Sequence, residues 1–234
     1  MTLPVINTPT YELEQPSTKA KVKFRPFLVK EEKILLLALE EGDEKSLANA
    51  LKQIINNCTF EKMDVELLPL FDLEYMFLRI RAKSVSEIAE LKLLCDDDGE
   101  TYADVSIPLE DIDVNFPEGH TNQIKLDDTI TMEMRYPTFE LLGQGVDDLD
   151  VEKTFDLIGQ CINKVYNGET IHERTDWSQA ELKSFLESMT SKQFKDVQEF
   201  FETMPKLSYD VKFQNPKTKK DNTLTLEGLQ SFFV

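Results

Sequence analysis

Histidine is nearly missing from this chain: His120 and His172 are the only two in 234 residues. Activating a serine, threonine or cysteine requires a base within hydrogen-bond reach. Neither histidine sits in a motif of that kind, and both read as surface residues in polar loops. Cysteine is scarce as well. Cys58, Cys95 and Cys161 are odd in number with no close pair, which argues against a disulfide framework and fits a reducing compartment. Glycine numbers eight, and Gly143-Gln144-Gly145 lacks both the third glycine and the preceding strand of a phosphate-binding loop. Basic residues are outnumbered, with 26 Lys and Arg against 44 Asp and Glu and a formal net charge of -18. Such a field repels phosphate backbones and anionic bilayers, so neither direct nucleic-acid binding nor a lipid surface is expected. The longest apolar run is about six residues, against the roughly 20 that span a bilayer. Met1 to Ile6 shows no basic segment leading into an apolar one, so no signal peptide is expected.

What remains is a globular composition, 41% hydrophobic and 30% charged, in a chain long enough for one domain or two small lobes. The organising stretch runs from Phe24 to Arg81. Lys21 to Arg25 alternates polar and apolar as a strand does, and Pro26 ends it. Lys30 to Glu41 reads as a helix whose run Ile34-Leu35-Leu36-Leu37-Ala38-Leu39 is apolar nearly all round and is expected to be deeply buried. Gly42 stops that helix and Asp43 caps the next. Leu47, Leu51, Ile54 and Ile55 line one face of the second helix, completing a helical hairpin. Asp64 or Asp72 is placed to cap further turns on either side of Pro69, and Asp72 to Arg81 is helical by residue choice. Arg79 and Arg81 fit either a partner's carboxylates or an internal ion pair.

From Ile88 the period changes to two. Ile88–Cys95 and Tyr102–Leu109 form a hairpin around Asp96-Asp97-Asp98-Gly99, and Ile130, Met132, Met134 and Tyr136 mark one face of a further strand. The second half reads as mostly helical. Val151, Phe155, Ile158 and Ile162 share helical spacing behind Asp147, Asp148 and Asp150. Ser178 and Glu181 make a capping box, and Ser191 is read as the cap of a helix carrying Phe194, Val197, Phe200 and Phe201. Leu207–Phe213 and Thr223–Leu226 close the chain as a hairpin. Leu91–Val114 and Leu207–Val234 echo one another in order: strand, polar turn, strand, then a Leu-Glu step. The expected fold is α+β, helical hairpins packed with short antiparallel β-hairpins and no parallel sheet. Its expected divisions are an extended arm over 1–20, an α+β domain over 21–145, and a helical lobe over 146–234.

Chemistry-bearing patterns are thin. Asp96 to Glu100 is acidic but lacks the ligand alternation and terminal glutamate of a calcium loop, which also weakens a metal-dependent hydrolase reading. Cys95 and Asp98 hold the two positions of a zinc knuckle, yet the chain cannot supply four cysteines. No catalytic residue, no metal site and no cofactor is expected, and the chain is read as not an enzyme. Phe24, Arg25, Phe27, Arg79 and Arg81 are the candidate protein-interaction residues, with the arm and the first helical hairpin as the binding face. The charge also supports a rival class, an acidic inhibitor or DNA mimic that occupies the basic groove of a nucleic-acid enzyme.

Phe24-Arg25-Pro26-Phe27-Leu28-Val29-Lys30-Glu31-Glu32-Lys33-Ile34-Leu35-Leu36 resembles the baseplate hub assembly proteins of T-even-type contractile-tailed bacteriophages. The resemblance continues through Ile54 to Cys58, Leu68 to Tyr75, Leu78 to Ser84, Ile107 to Ile112, Arg135 to Thr138 and Leu226 to Phe233, roughly residues 20 to 234. It implies a non-enzymatic hub assembly factor or hub subunit, made in the host cytoplasm and acting on other hub or tail proteins. It also implies cysteine pairs in two hairpins. This sequence departs there: the first hairpin keeps only Cys95, and the second, around Asn215 to Asn222, has none.

Overall fold

A computed structural model describes residues 6–138 and 151–232. The contacts divide the chain into two compact units, one of residues 1–115 and 206–234, the other of residues 116–205. The boundary expected near 145, the acidic cluster at Asp147 to Asp150 and Gly143-Gln144-Gly145 lie outside the described residues. Six α-helices and antiparallel-only sheets are present among the described residues, which is the expected α+β class.

The first unit begins with the hairpin of β1 (Tyr11–Glu14) and β2 (Lys21–Phe24). Helices α1 (Val29–Glu41) and α2 (Glu44–Cys58) follow, and then α3 (Leu70–Ser84). Gly42, at φ 70°, turns α1 out of the helix, and Asp43 Oδ1 accepts the Ser46 N–H at 2.8 Å to start α2. Both were legible from residue type. Helix α3 is the centre of this unit. Phe71, Leu73, Met76, Phe77, Leu78 and Ile80 are all buried, which covers more than one stripe of the helix. Each such side chain contributes roughly 1.5–3 kcal/mol on leaving water. Pro69 is its N-cap residue; Asp72 lies inside the first turn and is buried, and the Asp64 side chain forms no cap hydrogen bond.

Three hairpins of this unit share one turn. The β3 (Ile88–Leu94) and β4 (Tyr102–Pro108) pair turns at Cys95 to Thr101. The pair β10 (Lys206–Gln214) and β11 (Asp221–Glu227) turns at Asn215 to Lys220, and β10 also pairs with β5 (Asp113–Asn115). In each turn the N–H four residues on returns to the first carbonyl: Lys19 to Gln15 at 2.9 Å, Gly99 to Cys95 at 2.9 Å, Lys219 to Asn215 at 3.0 Å. The donors share a left-handed φ of 58°, 66° and 65°. The echo between the second and third hairpins therefore has a backbone basis, and Gln15-Pro16-Ser17-Thr18-Lys19, within the span expected as an extended arm, is a third copy of the turn.

The second unit is built on a four-stranded sheet in the order β6 (Gln123–Lys125), β7 (Ile130–Met134), β8 (Ile162–Asn167), β9 (Thr170–Glu173). Its helices are α4 (Val151–Gln160), α5 (Gln179–Glu187) and α6 (Ser191–Glu202). Met132, Met134, Ile158, Ile162, Leu186, Val197 and Phe200 form the core. Here the mostly helical expectation fails: helix α4 stops at Gln160 and Ile162 opens a strand. The Ser178–Glu181 capping box is present, while the α6 cap is Thr190 with Gln193, one residue before the expected Ser191.

Helix α1 departs most from expectation. Its inward face carries Glu31 and Ala38, while Leu36, Leu37 and Leu39 are exposed rather than deeply buried. The physical reason is a buried carboxylate that must face inward, on the side where α1 packs against α2. Glu31 accepts from Arg25 Nη2 at 2.9 Å and from the Leu28 N–H at 2.9 Å, in a fully buried position. Glu31→Ala leaves the Arg25 guanidinium buried without its carboxylate, and a loss of about 3 kcal/mol is expected in urea denaturation. A loss below about 1 kcal/mol would show that the pair does not set the stability of this corner.

Candidate functional site

The candidate interaction residues cluster where β2 runs into α1. Phe24 is buried, and the Arg25 backbone N–H donates to the Cys58 carbonyl at 3.0 Å, fixing the strand end to the end of α2. The Arg25 side chain is buried too, and it donates from Nη1 to the Pro26 carbonyl at 2.9 Å. Its hydrogen bond with Glu31 raises the guanidinium pKa against the lowering effect of burial. Burial alone raises the Glu31 carboxyl, but the Arg25 and Leu28 hydrogen bonds outweigh it and the net shift is downward. Phe27 is half-buried, and its N–H donates to Ser84 Oγ at 2.9 Å, tying the same junction to the last turn of α3.

The two arginines of α3 do different things. Arg79 donates to the carbonyls of Leu109 at 2.7 Å and Ile112 at 2.8 Å, and its guanidinium lies 4.6 Å from the Tyr75 ring centre. Its partners are thus backbone carbonyls of the segment after β4, not the acids expected for an ion pair. Arg81 is half-buried, and burial pulls its pKa below the usual arginine range. Of the five candidates, the structure brings Phe24, Arg25 and Phe27 to one junction and sends Arg79 to the hairpin segment.

Three further carboxylates hold the first unit together, and the sequence reading missed all three roles. Asp72 accepts from Gln15 Nε2 at 2.7 Å and the Ser17 N–H at 3.0 Å, which docks the first hairpin turn on α3; burial keeps its pKa raised. Asp97 accepts from Asn215 Nδ2 at 2.8 Å and Asn222 Nδ2 at 3.0 Å, joining the second hairpin turn to the third. Glu74 accepts the Leu229 N–H at 3.0 Å, which holds the 3-10 turn of Leu229–Phe232 against α3. Gly228 precedes that turn at φ 73°, and a Cβ there would stand 3.4 Å from Glu74 Oε1.

Both ring nitrogens of His120 are engaged. His120 Nδ1 lies 2.9 Å from Thr203 Oγ1, and Nε2 lies 3.0 Å from the Tyr136 hydroxyl. The Thr203 hydroxyl donates to the Glu199 carbonyl at 2.7 Å, so it must accept from Nδ1–H. That direction leaves Nε2 to accept from Tyr136, and it points the threonine proton away from the ring that would have to take it. Burial keeps the His120 pKa low, in line with a neutral ring. The residue is a tie inside the second unit rather than the surface histidine expected. His172 stands at the rim of an apolar cleft of about 270 Å³ lined by Ile130, Val165, Trp177, Leu182 and Phe185. No cluster of three or more His, Cys, Asp or Glu suited to a metal ion occurs among the described residues. All three cysteines are buried and free, and burial pushes the Cys58 and Cys161 thiols up to about 11.

Buried and half-buried carboxylates thus tie distant segments of the first unit together. A family model described as T4 bacteriophage base plate protein matches residues 8–234. This chain belongs to that family. No curated protein and no solved structure matches it. The matched span of this baseplate-family chain takes in both units, including all three hairpin turns and the Arg25–Glu31 junction. No helix among its described residues is long and apolar enough to cross a membrane.

Glu74 gives this baseplate-family chain a pH dependence with a definite sign. Burial raises its carboxyl to about 7 against the Leu229 hydrogen bond, from an ordinary value of 4.5. The folded state then holds that proton more tightly than the unfolded chain does. Its contribution to stability is largest below the unfolded pKa and is lost as pH rises through the folded one. Glu74→Gln keeps an acceptor for Leu229 and cannot ionise. It is expected to flatten the pH dependence and to exceed the wild type by about 1–2 kcal/mol near pH 8, a figure reduced for partial solvent contact. Identical slopes of stability between about pH 5 and pH 8 in the two proteins would refute this assignment.

Proposed function

We propose that the chain is a non-enzymatic hub assembly factor or hub subunit of a bacteriophage tail baseplate, acting through protein–protein contacts. The observation that carries the reading is the baseplate-family match over residues 8–234. The site chemistry agrees with it. Buried or half-buried polar groups at the Arg25–Glu31, Asp72, Asp97 and His120 positions are turned on partners within their own unit, which favours a rigid contact surface over a reacting centre. Phe24, Arg25 and Phe27 enter as supports where the first helical hairpin begins, and Arg79 as a support of the segment after β4. The arm over residues 1–20 and the helical hairpin together are the proposed contact face. Its partners in this reading are other hub or tail proteins, met first in the host cytoplasm and then, for a retained subunit, in the tail baseplate of the virion.

Mass spectrometry of purified particles and of infected cells tests this reading. Presence at fixed stoichiometry with baseplate components is expected for a hub subunit. Abundance in cells without presence in particles is expected for an assembly factor. A chain absent from particles that also forms no complex with any hub protein on co-expression would overturn both forms of the proposal.

A further inference from the structure

We propose that two copies of this chain associate through α1, antiparallel about a two-fold axis passing between Leu36 and Leu37. The starting observation is an inverted helix. Its inward side carries Glu31 and Ala38, whereas Val29 is 80% exposed, Leu36 56%, Leu37 49% and Leu39 58%. At roughly 100° per residue, Glu31 and Ala38 fall on one side and Val29 and Leu36 on the other, with Leu37 and Leu39 on the two flanks, so the exposed apolar residues lie away from the packed face. Contiguous exposed apolar side chains of this kind mark a contact surface, and α1 has ample apolar residues that a different rotation would have buried.

The charges around that patch select its occupant. Lys33, Leu36, Leu37 and Glu40 are spaced i, i+3, i+4 and i+7, so they form one stripe on the exposed side, and both charged members are exposed. Reversing the direction of the stripe maps Leu36 onto Leu37 and Lys33 onto Glu40. An antiparallel pair about the stated axis therefore sets leucine on leucine at the centre and lysine against glutamate at both ends. A parallel pair sets lysine on lysine and glutamate on glutamate. Within one helix the two charges are about 10 Å apart along the axis, too far to satisfy each other. The net charge of -18 opposes any self-association at low salt, but separated surface charges are screened beyond roughly 8 Å at physiological ionic strength. Two turns of helix make a small interface, so the pair is weak and concentration-dependent, with a dissociation constant on the order of 10 µM. This contact does not depend on the hub assignment, and its failure would leave that assignment standing.

Sedimentation equilibrium of the full chain from about 1 to 200 µM at physiological salt tests the pairing. The expected mass rises from 27.0 kDa towards twice that value. Leu36→Glu is expected to hold the chain at the monomer mass with an unchanged circular dichroism spectrum and melting curve, since the site is outside the core. Lys33→Glu and Glu40→Lys are each expected to weaken association at least ten-fold. The double variant Lys33→Glu/Glu40→Lys is expected to regain near wild-type association, because each swapped charge meets its swapped counterpart. A wild-type monomer throughout the range would overturn the proposal and leave the α1 face to a different protein. A dimer insensitive to Leu36→Glu, or a double variant no better than the singles, would overturn it equally.

Discussion

The Arg25–Glu31 ion pair decides how the outermost helix of the first unit is turned. Helix α1 has apolar residues at most angles, so hydrophobic burial alone offers several nearly equivalent rotations. A buried carboxylate offers one. Glu31 must keep Arg25, the Leu28 N–H and Asn57 Nδ2 within reach, at 2.9, 2.9 and 3.4 Å. Leaving any charged member uncompensated in the interior would cost several kcal/mol. The polar requirement therefore overrides the leucines, and Leu36, Leu37 and Leu39 are turned outward. The pair is better regarded as a device for orientation than as a source of net stability, since a well-packed apolar replacement can match the energy of a buried ion pair.

The same economy of acids runs through the unit. The surplus of carboxylates looks in composition like a solubilising or mimetic surface, and many of them are surface groups. Asp72, Asp97 and Glu74 are different, because each accepts hydrogen bonds from a segment distant in sequence. Each clasps one of the recurring hairpins or the turn that follows it. The tight turn uses up its own first carbonyl, and the side chain at that position, Gln15 or Asn215, is left to reach a carboxylate. In the middle turn that position is Cys95, which is buried. Hydrogen bonds between side chains thus do the joining that a metal ion would do elsewhere.

Period and punctuation made much of the fold legible in the sequence. The α1–α2 hairpin with its Gly42 and Asp43 signals, the β3–β4 and β10–β11 hairpins, the alternation of Met132 and Met134, and the Ser178–Glu181 box are local features that need no tertiary information. The failures have tertiary causes. Ile158 and Ile162 share helical spacing, yet a sheet edge along β7 was available to pair with Ile162, and pairing overrode the period. The Asn167-Gly168 step was a hairpin signal in plain view, masked by the helical pattern on either side of it. The rotation of α1 could not be read at all, because Arg25 and Glu31 become partners only once β2 and α2 meet. Phe24, Arg25 and Phe27 do lie together where β2 runs into α1, but nothing in their types distinguishes a residue that touches a partner from one that aims a helix.

That distinction bears on how a baseplate-family protein performs its work. A side chain that meets a partner directly can be substituted with an effect on that contact alone. A buried group such as Glu31 sets the angle of a whole helix, so its loss should spread to every residue on the exposed face of that helix. His120 shows the same logic in the second unit, where the ring is bound on both nitrogens, stacked 5.7 Å from Tyr136 and tilted against Phe200 at 5.3 Å. Together these ties fix the shape of each unit from within. Shape is what an assembling complex needs from a component, because surfaces presented at fixed angles add no ordering entropy when partners arrive.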